Sequence, residues 1–263
     1  MKVVETSAIA AQLAGMVLGI GTPAALFIYF RNKYRISWKP FLLGLLTFFL
    51  FVQVLEAAFH GYFLYANEWT KEWLKNPWLY MLYGGLAAGI FEETGRLVMM
   101  KFALKSRRDW KDGLSFGLGH GGFEALWILG VNGVVLLSLS FFINSGSFDS
   151  LTDGQLKEAL RPLRDQLVNG SPWLFLLAGL ERIGAVLVHI GLSLVVLYAV
   201  KSGQLKFYWF AVLLHAIFDF PAALYQSGVI ADIWLVEIFV AGVAVLSVAW
   251  IIKAKPLFER AEA

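Results

Sequence analysis

The sequence predicts an all-α fold, a polytopic transmembrane helical bundle, and three observations predict it. Hydrophobic residues make up 59% of the 263 positions. Mean hydropathy is +0.67. Charged residues are only 16% of the chain and sit in clusters between long apolar runs. A soluble domain this apolar would lack the polar side chains to cover its own surface, whereas a lipid-facing helix needs none.

Seven spans follow in order, each long enough to cross a hydrocarbon core of about 30 Å. The first, Ser7–Phe30, lacks a preceding basic segment and a clean cleavage site, so it reads as a retained helix. Arg31, Lys33, Arg35 and Lys39 close it. The second, Pro40–Ala66, ends in a balanced loop containing Glu68, Lys71, Glu72 and Lys75. The third, Trp78–Leu104, runs into Lys101, Lys105, Arg107, Arg108 and Lys111. The fourth, Gly113–Ile143, is overlong; it is expected to tilt, to break near Asn132-Gly133, or to continue beyond the membrane. Residues 144–172 are mixed in charge and expected to be partly helical, which would supply a short eighth element. The fifth, Trp173–Val200, is followed by Lys201 and Lys206; the sixth is Phe207–Tyr225; the seventh, Asp232–Ile252, is followed by Lys253, Lys255 and Arg260. Basic residues on alternate loops place the N-terminus outside and the C-terminus in the cytoplasm. Trp38, Trp69, Trp73, Trp78, Trp110, Trp173 and Trp209 lie near span ends, where interfacial aromatics belong. No linker-like stretch or internal repeat divides the chain, so residues 1–263 read as one transmembrane domain.

Composition removes several chemistries. With no cysteine there is no thiol nucleophile, disulfide or thiolate-held metal. The net charge of +3 is small and its basic residues lie at span ends, which does not suggest nucleic acid.

What stands out is ionisable chemistry inside the spans. All four histidines, His60, His120, His189 and His215, fall there, with Glu56, Glu92, Glu93, Glu124, Glu181, Asp219, Arg96 and Arg182. Each costs several kcal/mol in lipid unless paired or hydrated, so a shared polar cavity is expected. Helical rise puts Glu92, Glu93, His120, His189, His215 and Asp219 in one layer roughly 10–17 Å from the cytoplasmic surface. Arg96 follows Glu92 by four residues and Glu93 by three, so either carboxylate can pair with it. Adjacent residues on a helix point about 100° apart, so one can face a cavity while the other braces the helix. His120 and Glu124 share a face, as do His215 and Asp219. A carboxylate one turn away can orient an imidazole. Pro221 is expected to loosen the sixth span. Glu56 and His60 read as a structural clasp nearer the outer surface, and Glu181-Arg182 as structural pairing.

The parts available narrow the chemistry. Gly113-Leu114-Ser115-Phe116-Gly117 has the Gly-x-Ser-x-Gly spacing but falls inside the fourth span rather than at a strand-to-helix elbow, and neither a His-Glu-x-x-His zinc motif nor a pair of intramembrane aspartates occurs. Glutamate with several histidines remains. A buried glutamate can take a proton from water, and histidines can share that proton or stabilise an oxyanion. This inventory fits metal-free hydrolysis, the first expectation, with no cofactor. It also fits a divalent metal such as zinc, held by His120, His189, His215 and Glu92.

In order along the chain, Glu92-Glu93-x-x-Arg96, Phe116-x-x-x-His120, His189 and His215-x-x-x-Asp219 resemble the motifs of the CPBP superfamily, the CAAX proteases and bacteriocin-processing enzymes. Within it the chain most resembles the YhfC family of glutamic-type intramembrane proteases. Gly119-His120-Gly121-Gly122-Phe123-Glu124 strengthens that likeness, which spans roughly residues 80–225. The resemblance implies an intramembrane endopeptidase of a multi-pass bacterial plasma-membrane protein, acting on a membrane-embedded or lipidated peptide. It implies Glu92 as general base with His120 sharing the task, Glu93 and Arg96 as braces, His215 with Asp219 on the oxyanion side, and His189 completing the cluster. Glu124 is expected as structural support. Two departures stand. Two residues rather than three separate Glu93 from Arg96, which leaves the base open between Glu92 and Glu93. Asp219 occupies a position often held by Asn, and a carboxylate there would repel an oxyanion unless protonated, so it is expected to orient His215 instead. A non-catalytic scaffold or immunity-type protein, and a proton-coupled transporter, are the competing readings.

Overall fold

A computed structural model describes residues 3–152 and 154–260. Seven long helices dominate, and no strand occurs among the described residues. They are α1 (Thr6–Tyr34), α2 (Trp38–Ala66), α3 (Pro77–Phe102), α4 (Trp110–Asn144), α5 (Pro172–Ser202), α6 (Lys206–Gln226) and α7 (Ile233–Arg260). Each overlaps one expected span, and α7 continues well past Ile252. Six are long and apolar enough to cross a membrane, all but α3. The 26 residues of α3 are sufficient in length, but they include Glu92, Glu93 and Arg96, which lower its hydropathy.

Local sequence sets several ends. Asn76 caps α3 by accepting from the backbone of Trp78 and Leu79, and Pro77 occupies the first turn, where its missing N–H is no loss. Gly203, at φ +71°, turns the chain between α5 and α6 in a conformation that disfavours a side chain. The overlong α4 does not break at Asn132-Gly133. It stays continuous through a π-helical stretch, Leu126–Val131, immediately before that pair. Helix α2 contains two such stretches, Phe48–Glu56 and Gly61–Ala66. Nor does Pro221 interrupt α6, which is helical on both sides of it.

Contacts divide the chain into two compact units. The first comprises Met1–Ala25 and Glu124–Ile183. Its core gathers Val4, Ala8, Leu139, Ile143, Phe148, Leu167 and Phe175. The 144–172 segment is helical over Phe148–Leu151 and Gly154–Asn169. Leu160, Leu163 and Leu167 recur at helical spacing on the second of these, and that apolar stripe packs into the core.

The second unit comprises Leu26–Phe123 and Gly184–Ala263. Its helices approach closely through glycine. A Cβ on Gly89 of α3 would lie 2.6 Å from the Val212 carbonyl oxygen of α6. One on Gly117 of α4 would lie 2.5 Å from the Ile190 Cα of α5, and one on Gly119 would collide with the Phe41 carbonyl of α2. Small residues let backbones meet where no hydrophobic force drives helices together. These contacts bring α3, α4, α5 and α6 together at the depth of their polar residues.

Candidate active site

Four helices converge on one buried polar centre. Glu92, Glu93 and Arg96 come from α3, His120 from α4, His189 from α5 and His215 from α6, and all six are buried. The sequence analysis singles out the same residues. The spacing on α3 decides which carboxylate does what. Glu92 faces the imidazoles: its Oε2 lies 2.8 Å from His120 Nε2 and 3.7 Å from His189 Nδ1, and its Oε1 lies 3.8 Å from His215 Nε2. Glu93, one residue on, points to the brace, where its Oε1 meets Arg96 Nη1 and lies 2.7 Å from His215 Nδ1.

Hydrogen-bond chemistry fixes directions. A guanidinium only donates. Arg96 Nη2 therefore donates to His189 Nδ1 at 2.7 Å and to Glu92 Oε2 at 3.3 Å. An ionised carboxylate only accepts, so His215 carries a proton on Nδ1 and donates it to Glu93. His215 Nε2 is then directed toward Glu92 and toward Asp219 Oδ2, 3.6 Å away. The rings of His120 and His189 are 5.2 Å apart, and those of His189 and His215 5.6 Å. Phe48 of α2 sets its ring edge-on to His120 at 5.4 Å. Pairing compensates the cost of burying these charges, and removing any one partner would leave another exposed to that cost.

The other intramembrane charges form ion pairs of their own. Glu124 Oε1 accepts from Arg182 Nη1 at 2.7 Å, and Arg182 Nη2 also donates to Glu181. Arg182 of α5 thus offers Glu124, expected as structural support, a full opposite charge. The Glu56–His60 clasp forms, with Oε1 of Glu56 3.2 Å from His60 Nε2. Tyr83 of α3, which no sequence pattern indicated, bonds His60 Nδ1 at 2.7 Å.

The centre fits a divalent metal. Glu92, His189 and His215 each offer one ligand atom, and these atoms lie within 4.8 Å of one another. One carboxylate and two imidazoles is a donor set of catalytic zinc sites. Glu93 stands behind His215 as an outer carboxylate that fixes its tautomer. Buried His120 Nδ1 and Glu93 Oε2 have no hydrogen-bond partner among the described residues, so the cluster holds polar capacity that protein groups alone do not satisfy. The Arg96 donor on His189 Nδ1 would have to yield if the metal used that nitrogen. The metal-free expectation finds no support in this geometry, whereas the metal alternative fits it. That alternative also included His120, whose Nε2 is engaged by Glu92.

Comparison with known proteins gives the same direction. Residues 16–240 match the family model described as YhfC intramembrane metalloprotease. A relative from Bacillus subtilis (strain 168), described as uncharacterized membrane protein YhfC, is 49% identical over 238 residues, covering 90% of this chain and 92% of its own. No solved structure matches the chain. With six apolar spans and a membrane-protein relative, the chain is a multi-pass integral membrane protein.

Proposed function

This chain belongs to the YhfC family, and from that premise we propose that it hydrolyses a peptide bond of a membrane-embedded or lipidated substrate at the Glu92–histidine centre. The observation that carries this reading is the convergence of Glu92, His189 and His215 from three helices onto one point, with His120 on the same carboxylate. A scaffold would gain nothing from gathering three imidazoles around an already paired glutamate.

Glu92, His189 and His215 would hold a divalent metal, which supplies Lewis acidity toward a peptide carbonyl when bound. The chain's own residues have separate tasks. Glu92 is the reactive carboxylate, since it alone meets all three histidines. Glu92 would take a proton from the water whose oxygen bonds to the peptide carbonyl carbon, and His120 Nε2, 2.8 Å from Glu92 Oε2, would pass that proton to the amine as the C–N bond breaks. Glu93 holds His215 with Nε2 facing inward, and Arg96 keeps both carboxylates in place. Asp219 orients His215 from the opposite side. Burial excludes bulk water, which strengthens each of these interactions.

The test uses the full chain reconstituted in vesicles with a panel of fluorogenic transmembrane peptides. Cleavage should disappear on treatment with a metal chelator, return on adding zinc, and be absent in Glu92→Gln. Cleavage that survives both the chelator and Glu92→Gln would reject this assignment.

A further inference from the structure

Next to the centre lies a second polar space that the proposed chemistry does not use. It is a cavity of about 320 Å³ lined by residues of α2, α3 and α6. Glu56, His60, Tyr80, Tyr83, Asp219 and Gln226 supply its polar wall, and the rest is mainly glycine and alanine. The volume is at the small end of ligand pockets, about 300–1,000 Å³. Asp219 belongs to both spaces, because its Oδ2 also lies 3.6 Å from His215 Nε2.

Hydrogen bonds tie this wall together: Tyr83 Oη and His60 Nδ1 lie 2.7 Å apart, and His60 Nε2 lies 3.2 Å from Glu56 Oε1. Glu56 is 95% buried, given its 5% exposure, and its Oε2 has no hydrogen-bond partner among the described residues. Tyr80 donates to Gln226 Oε1 at 3.1 Å in a solvent-exposed bond. Two carboxylates line this wall, and neither lysine nor arginine does.

We propose that this cavity is a specificity pocket for a basic substrate side chain, lysine or arginine, next to the scissile bond. The inference rests on the protease reading, since it needs a peptide whose backbone lies at the neighbouring centre. The Glu56 carboxyl group is the main acceptor. Asp219 is a second one, and this gives it a part in recognition besides orienting His215. Small residues leave room for a long, straight side chain whose stem packs on Leu64.

The experiment has a binding arm and a cleavage arm. In the first, n-butylguanidinium, n-pentanol and valerate are titrated into the full-length protein in detergent, and thermal stabilisation gives apparent affinities. The guanidinium should bind about tenfold tighter than the neutral alcohol, the scale of one charge-assisted hydrogen bond, and valerate weakest. Glu56→Gln should erase that preference and Glu56→Asp should restore part of it. If Glu56→Gln does not fold, Gln226→Glu carries the test by strengthening the preference. Equal response to cation and alcohol, or a preference unchanged in Glu56→Gln, overturns the pocket and leaves a water-filled passage in its place. In the second arm, peptides carrying Lys, Gln or Glu beside the cut site are compared, and the Lys-to-Gln ratio should fall about tenfold in Glu56→Gln. An unchanged ratio overturns the pocket while cleavage itself upholds the protease. Guanidinium binding in a protein that cleaves no peptide rejects the protease reading and, with it, the substrate role of the pocket.

Discussion

Two ion-pair clusters in this chain, one buried and one partly exposed, draw on the same inventory, two glutamates and one arginine. Arg182 directs one end nitrogen to Glu124 and the other to Glu181, so opposite charges meet and the arrangement is a clasp. Arg96 meets Glu92 and Glu93 as well, but it also donates to His189, and the two carboxylates reach on to His120 and His215. The difference teaches that an intramembrane ion pair becomes a candidate for chemistry through what surrounds it. Three imidazoles from three other helices give the Glu92 cluster proton carriers and metal donors, whereas the bonds of Arg182 run to Glu124 and Glu181.

The sharpest way to break that comparison is to neutralise one glutamate in each cluster. Glu92→Gln keeps the shape but removes the charge that the three histidines face. The loss in kcat/KM should be about 10²–10⁴-fold, the usual scale for a general acid–base group. Glu124→Gln should leave turnover in the wild-type range and act on stability instead. Initial rates of peptide cleavage check both, and equal losses would erase the distinction between the clusters.

How the sequence yields these assignments follows from distance along the chain. Helix positions are legible because apolar runs end in charges, and local pairs such as Glu92–Arg96 and Glu56–His60 are legible because a helix brings residues three and four apart together. The division of labour between Glu92 and Glu93 is not, since two adjacent positions look alike until a neighbouring helix covers one of them. Tyr83 on His60 and Arg182 on Glu124 are missed for the same reason, being bonds between helices distant in sequence. The π-helical stretches have no residue signature of their own. The depth argument for the four histidine-bearing helices does reach the site, because hydropathy fixes depth and only three of those histidines share a layer with Glu92.

The second-largest effect is on folding. Arg96 is fully buried, and Arg96→Ala would leave two buried carboxylates without their cation, a loss of about 3–5 kcal/mol. Arg182 is 12% exposed and its partners more so, so Arg182→Ala should cost clearly less. Unfolding in detergent, with both variants in one denaturant series, reads the order; a reversed order would mean that the Arg182 clasp is the main structural support of the two.

Next comes the outer carboxylate. Glu93 touches no proposed metal-binding atom except through His215 Nδ1, so Glu93→Gln keeps a hydrogen-bond acceptor in place but weakens it. Zinc affinity should fall about 10–100-fold, as for other outer-shell partners of metal-ligating histidines. Competition with a chromophoric chelator measures this without any substrate. Unaltered affinity would remove His215 from the ligand set and leave Glu93 purely as a partner of Arg96.

The smallest effect belongs to Glu181. Its side chain is 30% exposed, and Arg182 keeps Glu124 at 2.7 Å when Glu181 is neutralised. Water and the remaining carboxylate can both satisfy the guanidinium, so Glu181→Gln should cost below about 1 kcal/mol, in line with exposed pairs. The same denaturant series resolves it. A loss as large as that of Arg96→Ala would show that exposure does not soften this pair, and the contrast between a clasp partly open to its surroundings and a sealed reactive centre would no longer hold.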